Sequence, residues 1–446
     1  MDPSKFAQNH MPVQWAEELL EPDTLAVNAP LEDKTSIVCH VGLIALASGT
    51  GSWRVRESMN QIARLLGIRC HVDVSLLGIE CSCVQGKQRC THVSTLRTTG
   101  VNTSRLWHLE DFVTEAAKTG AGLTVAQFHK KLSDIESEKG HYTAAELGLA
   151  AGFACGAFVF LLGGDLAEML CAAVGAGFGN FTRMKLLGKR LNQMFSVAVS
   201  VAVSCLCYVA ILALLEALLG TSDQNEAGYI GAMLFVIPGF PLITSGLDIA
   251  KLDMRSGFER FGYAFIVIAV ATLTGWIVAS VVGLAPGELT PLNLTPMQLL
   301  VLRLIMSFVG VYGFSVMFNS APKMCATAAS VGAIANTLRL ELGDFGLVPE
   351  ISTLFGALTA GLLAYVVIRN AGRLHLPTFP RISITVPSIV IMVPGLYMYR
   401  AMYYLALFNM TTALDWAFRA FMVIIFLPIG LALARIATDP RWRYCT

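Results

Sequence analysis

Charge is what this sequence has least of. Only 14% of its 446 residues are Asp, Glu, Lys or Arg, against 55% hydrophobic residues, and the mean hydropathy is +0.61. A soluble chain of this length needs far more charge to cover its surface, so an integral membrane protein is expected. Other absences narrow the class. There is no P-loop sequence, which argues against direct ATP drive. Neither a nucleophile elbow nor an HExxH motif is present, so a membrane enzyme that hydrolyses substrate in its front part has no visible machinery. No basic patch with interleaved aromatics suggests a nucleic-acid partner. The net charge of +1 does not discriminate among partners. The opening residues, MDPSKFAQNHMPVQWAEELLEPD, lack the basic start and apolar core of a signal peptide. Residues 1–33 are expected to be an acidic, flexible lead-in. The first insertion signal is then near Ala150, and what precedes it should stay in the cytoplasm.

The cysteines are numerous and odd in count, 11 in all. Cys155, Cys171, Cys205, Cys207 and Cys325 fall in apolar spans, where cysteine is an ordinary small hydrophobe. Cys445 is at the tail. Cys39, Cys70, Cys81, Cys83 and Cys90 lie in the front part, which in a reducing compartment should hold free thiols.

Residues 34–138 read as a small α/β domain. Ile37 to Ser48 and Arg54 to Leu66 have helical spacing, and Gly67 is placed to cap the second helix. RCHVDVSL, GIECSCVQ and RCTHVSTLR alternate with the period of half-buried strands, and Gly86-Lys87 suits a hairpin between the last two. Two helices follow, near Ser104 to Ala117 and Thr124 to Glu136, the latter with Thr124 as N-cap. Residues two apart share a strand face, so Cys70, Cys81, Cys83, Cys90 and His92 could converge on zinc. Their spacing fits no standard zinc pattern, and packing is the favoured reading, with no metal ligand or cofactor assigned. GTGS at Gly49 to Ser52 lacks a phosphate loop's lysine and preceding strand, and reads as a turn between helices.

The remainder is hydrophobic blocks with short polar breaks, about ten spans of roughly 17 to 25 residues. They centre near Ala151, Gly175, Val203, Phe235, Val270, Phe308, Val331, Leu358, Ile391 and Ile424. Cations cluster in alternate loops, at Arg183 to Arg190, Lys251 to Arg260, Lys323, Arg369 to Arg381 and Arg435 to Arg443. The loops between, GGD, TSDQNEAG and APGELTPLNLTP, are poor in them, and Arg339 is the main exception. This is the positive-inside signature with both termini cytoplasmic.

VGAGFGNFTR, from Val174 to Arg183, matches VGAIANTLR, from Val331 to Arg339, with a one-residue gap. LFVIPGFPLITSGLDIAK and IVIMVPGLYMYRAMYYL carry Pro-Gly breaks at nearly the same offset. Two homologous halves follow, 142–284 and 296–438, with a cytoplasmic tail at 439–446. Five spans is an odd number, so the halves insert in opposite orientation, the plan of secondary transporters. The expected fold class is therefore a polytopic α-helical membrane protein, two inverted five-helix repeats plus a small N-terminal α/β domain.

A Pro-Gly pair breaks a helix and exposes backbone, which persists only inside protein or beside a water-filled cavity. Two symmetry-related breaks point to a substrate site near the midplane, the alternative being kinks that only shape packing. IMVPGLYMYRAMY resembles a motif late in the threonine/serine exporter family. VIPGFPLITSGLDI, followed by Ser256-Gly257 and Arg260, resembles the matching motif of its first half. SGTGSWRVRESMNQIARLLGI and TGVNTSRLWHLEDF resemble its front domain. The resemblance runs from Ser36 over almost the whole chain, in the fused form of a family whose halves are often separate proteins. Arg56 departs from it, since members often carry an acid there. The resemblance implies proton-driven export of small polar metabolites, threonine and serine in some members and dicarboxylates in others.

Substrate contacts are expected from Pro238, Gly239, Thr244, Asn180, Asn336, Pro394, Gly395, Tyr399 and Arg400. Ionisable residues in spans are costly and default to function. Asp248 is the first candidate for carrying the coupling proton, the alternative being a charge paired with Lys251 or Arg255. Arg400 could hold a carboxylate bidentately or snorkel to the interface. Asn180 and Asn336 could bind substrate or join helices. Arg303 and Glu168 rank lower, since both could lie near span ends, and Tyr397 and Tyr399 could line the site or sit in the aromatic belt. The expected activity is secondary active export of amino acids such as threonine and serine by proton antiport, through a multi-pass protein of the inner membrane. The alternatives are a dicarboxylate exporter, a channel, or a sensor gated by ligand at the front domain. Expected partners are the small-molecule substrate, protons and the lipid bilayer, with a homodimer left open.

Overall fold

The computed structural model describes residues 13–219, 226–284 and 294–444. The start of the lead-in, Cys445, and all or part of the TSDQNEAG and APGELTPLNLTP loops lie outside the described residues. The chain divides into two compact units, Met1–Lys139 with Lys251–Glu259, and Gly140–Ala250 with Arg260–Thr446.

The first unit is built around α1 (Leu31–Ala47), in which every residue from Asp33 to Leu46 is buried. Its run from Ile37 to Leu46 is apolar except for His40 and must be enclosed, while the polar residues of its first turns are buried with it. Around it stand α2 (Ser52–Leu65), the antiparallel sheet β1 (Arg69–Val74), β2 (Gly78–Gln85) and β3 (Gln88–Thr95), then α3 (Thr103–Thr119) and α4 (Val125–Ser137). Gly67 and Gly86 take positive φ, +69° after α2 and +61° in the β2–β3 turn, the backbone that favours glycine. Thr124 and Gln127 close a capping box on α4.

Two segments differ from the sequence-based expectation. The lead-in is packed from residue 13 on, with Trp15, Ala26 and Ala29 in the hydrophobic core. Trp15 stacks on His40 at 4.4 Å. The buried Asp33 carboxylate accepts hydrogen bonds from the backbone N–H groups of Leu20 (2.9 Å) and Glu21 (2.8 Å). A single tryptophan and one aspartate supply this anchoring, with no periodic pattern to announce it. Lys251–Glu259 also clusters with this unit. There Asp253 accepts from Ser52 Oγ at 2.8 Å and pairs with Arg56, so the cation that departs from the family pattern has found an acid. Arg255 pairs with Asp73, and Glu259 accepts from Leu76 N–H at 2.7 Å.

A polar chain crosses the core of the first unit. Ser36 Oγ meets His129 Nε2 at 3.0 Å, His129 Nδ1 meets His40 Nδ1 at 3.0 Å, and His40 Nε2 meets Glu136 at 3.3 Å.

The second unit contains two sets of helices in one order. The first is α5 (Ala144–Leu161), α6 (Leu166–Gly188), α7 (Gln193–Leu219), the pair α8 (Glu226–Met233) and α9 (Gly239–Ala250), and α10 (Met254–Val282). The second is α11 (Pro296–Met317), α12 (Pro322–Asp344), α13 (Pro349–Arg369), the pair α14 (Arg381–Val390) and α15 (Gly395–Ala406), and α16 (Met410–Thr438), with a last turn α17 (Pro440–Arg443). In both sets the second helix packs on the first, the third and the pair. The pairs bend by 63° and 51°. Among the described residues, six helices are long and apolar enough to cross a membrane, eight if each bent pair is one span. The second helices, α6 and α12, fall below that test although the ten expected centres each lie in one of these helices or pairs. Their polar residues, needed inside the unit, lower their mean hydropathy. Helix α5 packs on α6 through Gly148, Gly152 and Gly156; a Cβ on Gly152 would sit 2.6 Å from the Ala173 carbonyl oxygen. Small residues four apart let membrane helices approach this closely.

Burial, with His40 adding to it, pushes the His129 imidazole down to about 3 from 6.5. As pH falls, the unfolded chain therefore takes up this proton before the folded one does. His129 stabilises the first unit above the unfolded value near 6.5 and loses that contribution between 6.5 and about 3. Thermal melting of the purified chain from pH 7 to pH 5 should show this unit weakening by up to about 1.4 kcal/mol per pH unit, with a shallower fall in His129→Gln.

Candidate functional site

The bent pairs bring two breaks together. In the first, a 3-10 turn over Leu234–Val236 runs into extended Ile237, and Pro238 precedes the first residue of α9. In the second, Met392 and Val393 N–H bond back to Ile389 and Val390, and Pro394 precedes α15. Proline has no N–H and cannot continue the preceding helix, while each following Gly starts a new one. The contacts are reciprocal. A Cβ on Gly239 would lie 3.0 Å from Val390 Cγ1 and 3.3 Å from Val393 Cγ2. One on Gly395 would lie 2.3 Å from Leu234 Cδ2 and 2.9 Å from Ile237 Cδ1. Pro238, Gly239, Pro394 and Gly395 thus form one crossing, with glycine required by the close approach.

A cavity of about 260 Å³ opens at the second break. Pro394, Gly395 and Tyr397 line it with Arg339, Asp344 and Thr353. The first-turn N–H groups of α15 have no acceptor within their helix and carry the positive end of its dipole. Arg339 is partly buried and donates from Nε to Asn336 Oδ1 at 3.0 Å. It forms no ion pair among the described residues. Asn336 is itself fixed by donating to Ser307 Oγ at 2.8 Å, so it aims the guanidinium. Thr353 and Ser352 hydroxyls donate to backbone carbonyls of their own turn, which leaves their oxygens as acceptors. The cavity therefore offers a guanidinium and a helix N-terminus to an anion, and to a cation it offers hydroxyl oxygens and the Asp344 carboxylate, which already holds Arg303 at 2.5 Å.

The other sequence candidates are placed as follows. Asp248 is fully buried and pairs with Arg260, Oδ2 to Nε 3.3 Å. Thr244 Oγ1 is buried and donates to the Phe240 and Pro241 carbonyls at 3.0 and 3.2 Å, so it serves the first turn of α9. Asn180 donates to the Leu147 carbonyl at 2.8 Å and joins α6 to α5. Tyr399 is buried against Tyr229, ring centroids 6.1 Å apart. Arg400 lies over the Trp416 ring at 4.8 Å and is not among the cavity's lining residues. Glu168 accepts from Asp165 N–H and Gly228 N–H at 3.0 Å each, and Arg303 pairs with Glu341 at 2.8 Å and Asp344 at 2.5 Å. The cavity's guanidinium was missed as a binding residue, although the sequence held its signal: Arg339 is the cation that breaks the alternation of basic loops. Its repeat counterpart, Arg183, also stands three residues after an asparagine, and its Nε is buried with no acceptor among the described residues.

Apolar helices of membrane-spanning length, two bent pairs among the described residues, and a cavity at the second break suit a multi-pass membrane protein. Residues 36–282 match the family described as "putative threonine/serine exporter", and residues 303–437 match the family described as threonine/serine exporter, ThrE. The chain belongs to the threonine/serine exporter family, with both parts fused in one polypeptide. Membership implies a transporter and not an enzyme. No curated protein and no solved structure matches it.

If the cavity binds a carboxylate, Arg339→Gln removes a charge-assisted hydrogen bond, a loss of about 1.5 to 3 kcal/mol, or roughly ten- to hundredfold in apparent affinity. Arg400→Gln should change it less than about threefold. Concentration dependence of transport by the two variants in proteoliposomes checks the contrast.

Proposed function

We propose that this chain exports small hydrophilic amino acids such as threonine and serine, driven by the proton gradient, by alternating access between two inverted five-helix halves in the inner membrane. The observation that carries the proposal is the cavity at the second break, where Arg339, the first turn of α15 and Asp344 meet. One guanidinium and one carboxylate among its described lining residues suit a zwitterion, whose carboxylate takes the cationic end and whose ammonium takes the acceptors. A dicarboxylate would want a second cation, so it is the second choice. Reciprocal packing of the breaks favours rocking of one half against the other, since each break is held by the opposite half. Both termini are then cytoplasmic.

The buried Asp248–Arg260 pair is the proposed coupling element. A buried carboxylate paired with a guanidinium inside a span is costly to leave unpaired, so its protonation would release Arg260 of α10 from α9. A channel would equilibrate substrate without accumulating it. A ligand-gated sensor would bind ligand in the first unit.

The test is uptake of labelled L-threonine and of succinate into proteoliposomes with and without an imposed pH gradient. Wild type should accumulate threonine only with the gradient. Asp248→Asn should lose at least about tenfold of that accumulation, the scale of breaking a charge-assisted bond, while threonine–threonine exchange continues. Accumulation of succinate in place of threonine would move the substrate class to dicarboxylates. Wild-type equilibration without accumulation would leave a channel.

A further inference from the structure

Three thiols of the first unit meet on one face of the sheet. Cys70 of β1 pairs in register with Cys83 of β2, and Cys83 pairs in turn with Cys90 of β3; Cys81 stands opposite His92. Residues paired across strands, and residues two apart along one strand, share a face. Cys70 Sγ is 3.1 Å from Cys81 Sγ, Cys81 Sγ is 3.6 Å from Cys83 Sγ, and all three lie within 4.8 Å of one another. Cys81 and Cys83 are fully buried and Cys70 is partly buried. His92, on the same face, has a buried Nε2 with no hydrogen-bond partner among the described residues.

The geometry points to a zinc site built from the Cys70, Cys81 and Cys83 thiolates, with the fourth position taken by water. A Zn–S bond of about 2.3 Å in a tetrahedron separates its sulfurs by about 3.8 Å, so this cluster needs adjustments of at most about 1 Å to close on the ion. Each ligating thiol gives up its proton to solvent as the bond forms. Packing alone explains single buried cysteines, but it gives no reason for three sulfurs from two strands to converge. The ligands come from strand positions, i and i+2 on β2 and a diagonal neighbour on β1, not from a C-x-x-C knuckle, so the spacing alone did not favour a site. Bound zinc would tie β1 to β2 on the buried face of the sheet. Cys70 is the side of entry, since it alone of the trio reaches the surface.

The experiment uses the purified full-length chain, reduced and stripped with chelator. Zinc is titrated in competition with a chromophoric chelator, metal content is read by mass spectrometry, and Co2+ is used as a spectroscopic probe. The expected result is one zinc per chain and thiolate-to-cobalt charge-transfer absorption with the d–d bands of a tetrahedral site. Cys70→Ser and Cys81→Ser should each weaken binding at least about a hundredfold, while Cys207→Ser, outside the cluster, leaves it unchanged. If Cys81→Ser does not fold, the wild-type cobalt spectrum and the partly exposed Cys70→Ser decide. No zinc on the folded, reduced wild type, zinc retained in both cluster variants, cobalt bound without thiolate bands, or a native Cys70–Cys81 disulfide would each overturn the assignment.

Discussion

Backbone that leaves a helix within an apolar segment must find cover, and the second unit is arranged around that constraint. Pro238 and Pro394 each end a helix, and each exposes N–H and C=O groups that lipid cannot satisfy. The two breaks cover one another. Gly239 sits against Val390 and Val393 of the second break, and Gly395 sits against Leu234 and Ile237 of the first. A Cβ at Gly395 would require Leu234 to move, and one at Gly239 would press on Val390. The surrounding helices hold it in place, with α6 packed on α8 and α12 packed on α14. The cavity lies at the second break because a helix start leaves polar groups there that protein alone does not consume.

The same economy governs the charges. Asp248 is matched by Arg260, Arg303 by Glu341 and Asp344, and Glu168 by two backbone N–H groups. A buried charge without a partner is expensive, so most of these residues are explained by the need for pairing. Arg339 stands apart. It is aimed by Asn336, it lines the cavity, and it has no acid among the described residues. A cation kept in that state is suited to an anion that comes and goes. The first unit follows the same rule, with Asp33 taking two N–H groups and the Ser36–His129–His40–Glu136 chain passing hydrogen bonds through an otherwise apolar core.

The sequence by itself determined what depends on neighbours in the chain. Period-two alternation gave the three strands, Thr124 capped its helix, Gly67 and Gly86 took the positive φ their turns require, and the repeated Pro-Gly pairs marked both bends. These follow from local sterics and hydrogen bonding, which a short window of residues contains. Tertiary structure alone decided which distant groups meet. It gave Asp248 to Arg260, turned Thr244 back onto its own helix, laid Arg400 on Trp416, and put Arg339 in the cavity. It also anchored the lead-in through Trp15, drew Lys251–Glu259 into the first unit, and gathered three thiols that strand spacing had left as packing residues. The physical reason is that pairing and burial are settled by contacts between elements far apart in the chain, and hydropathy and spacing along one strand or helix do not encode the partner.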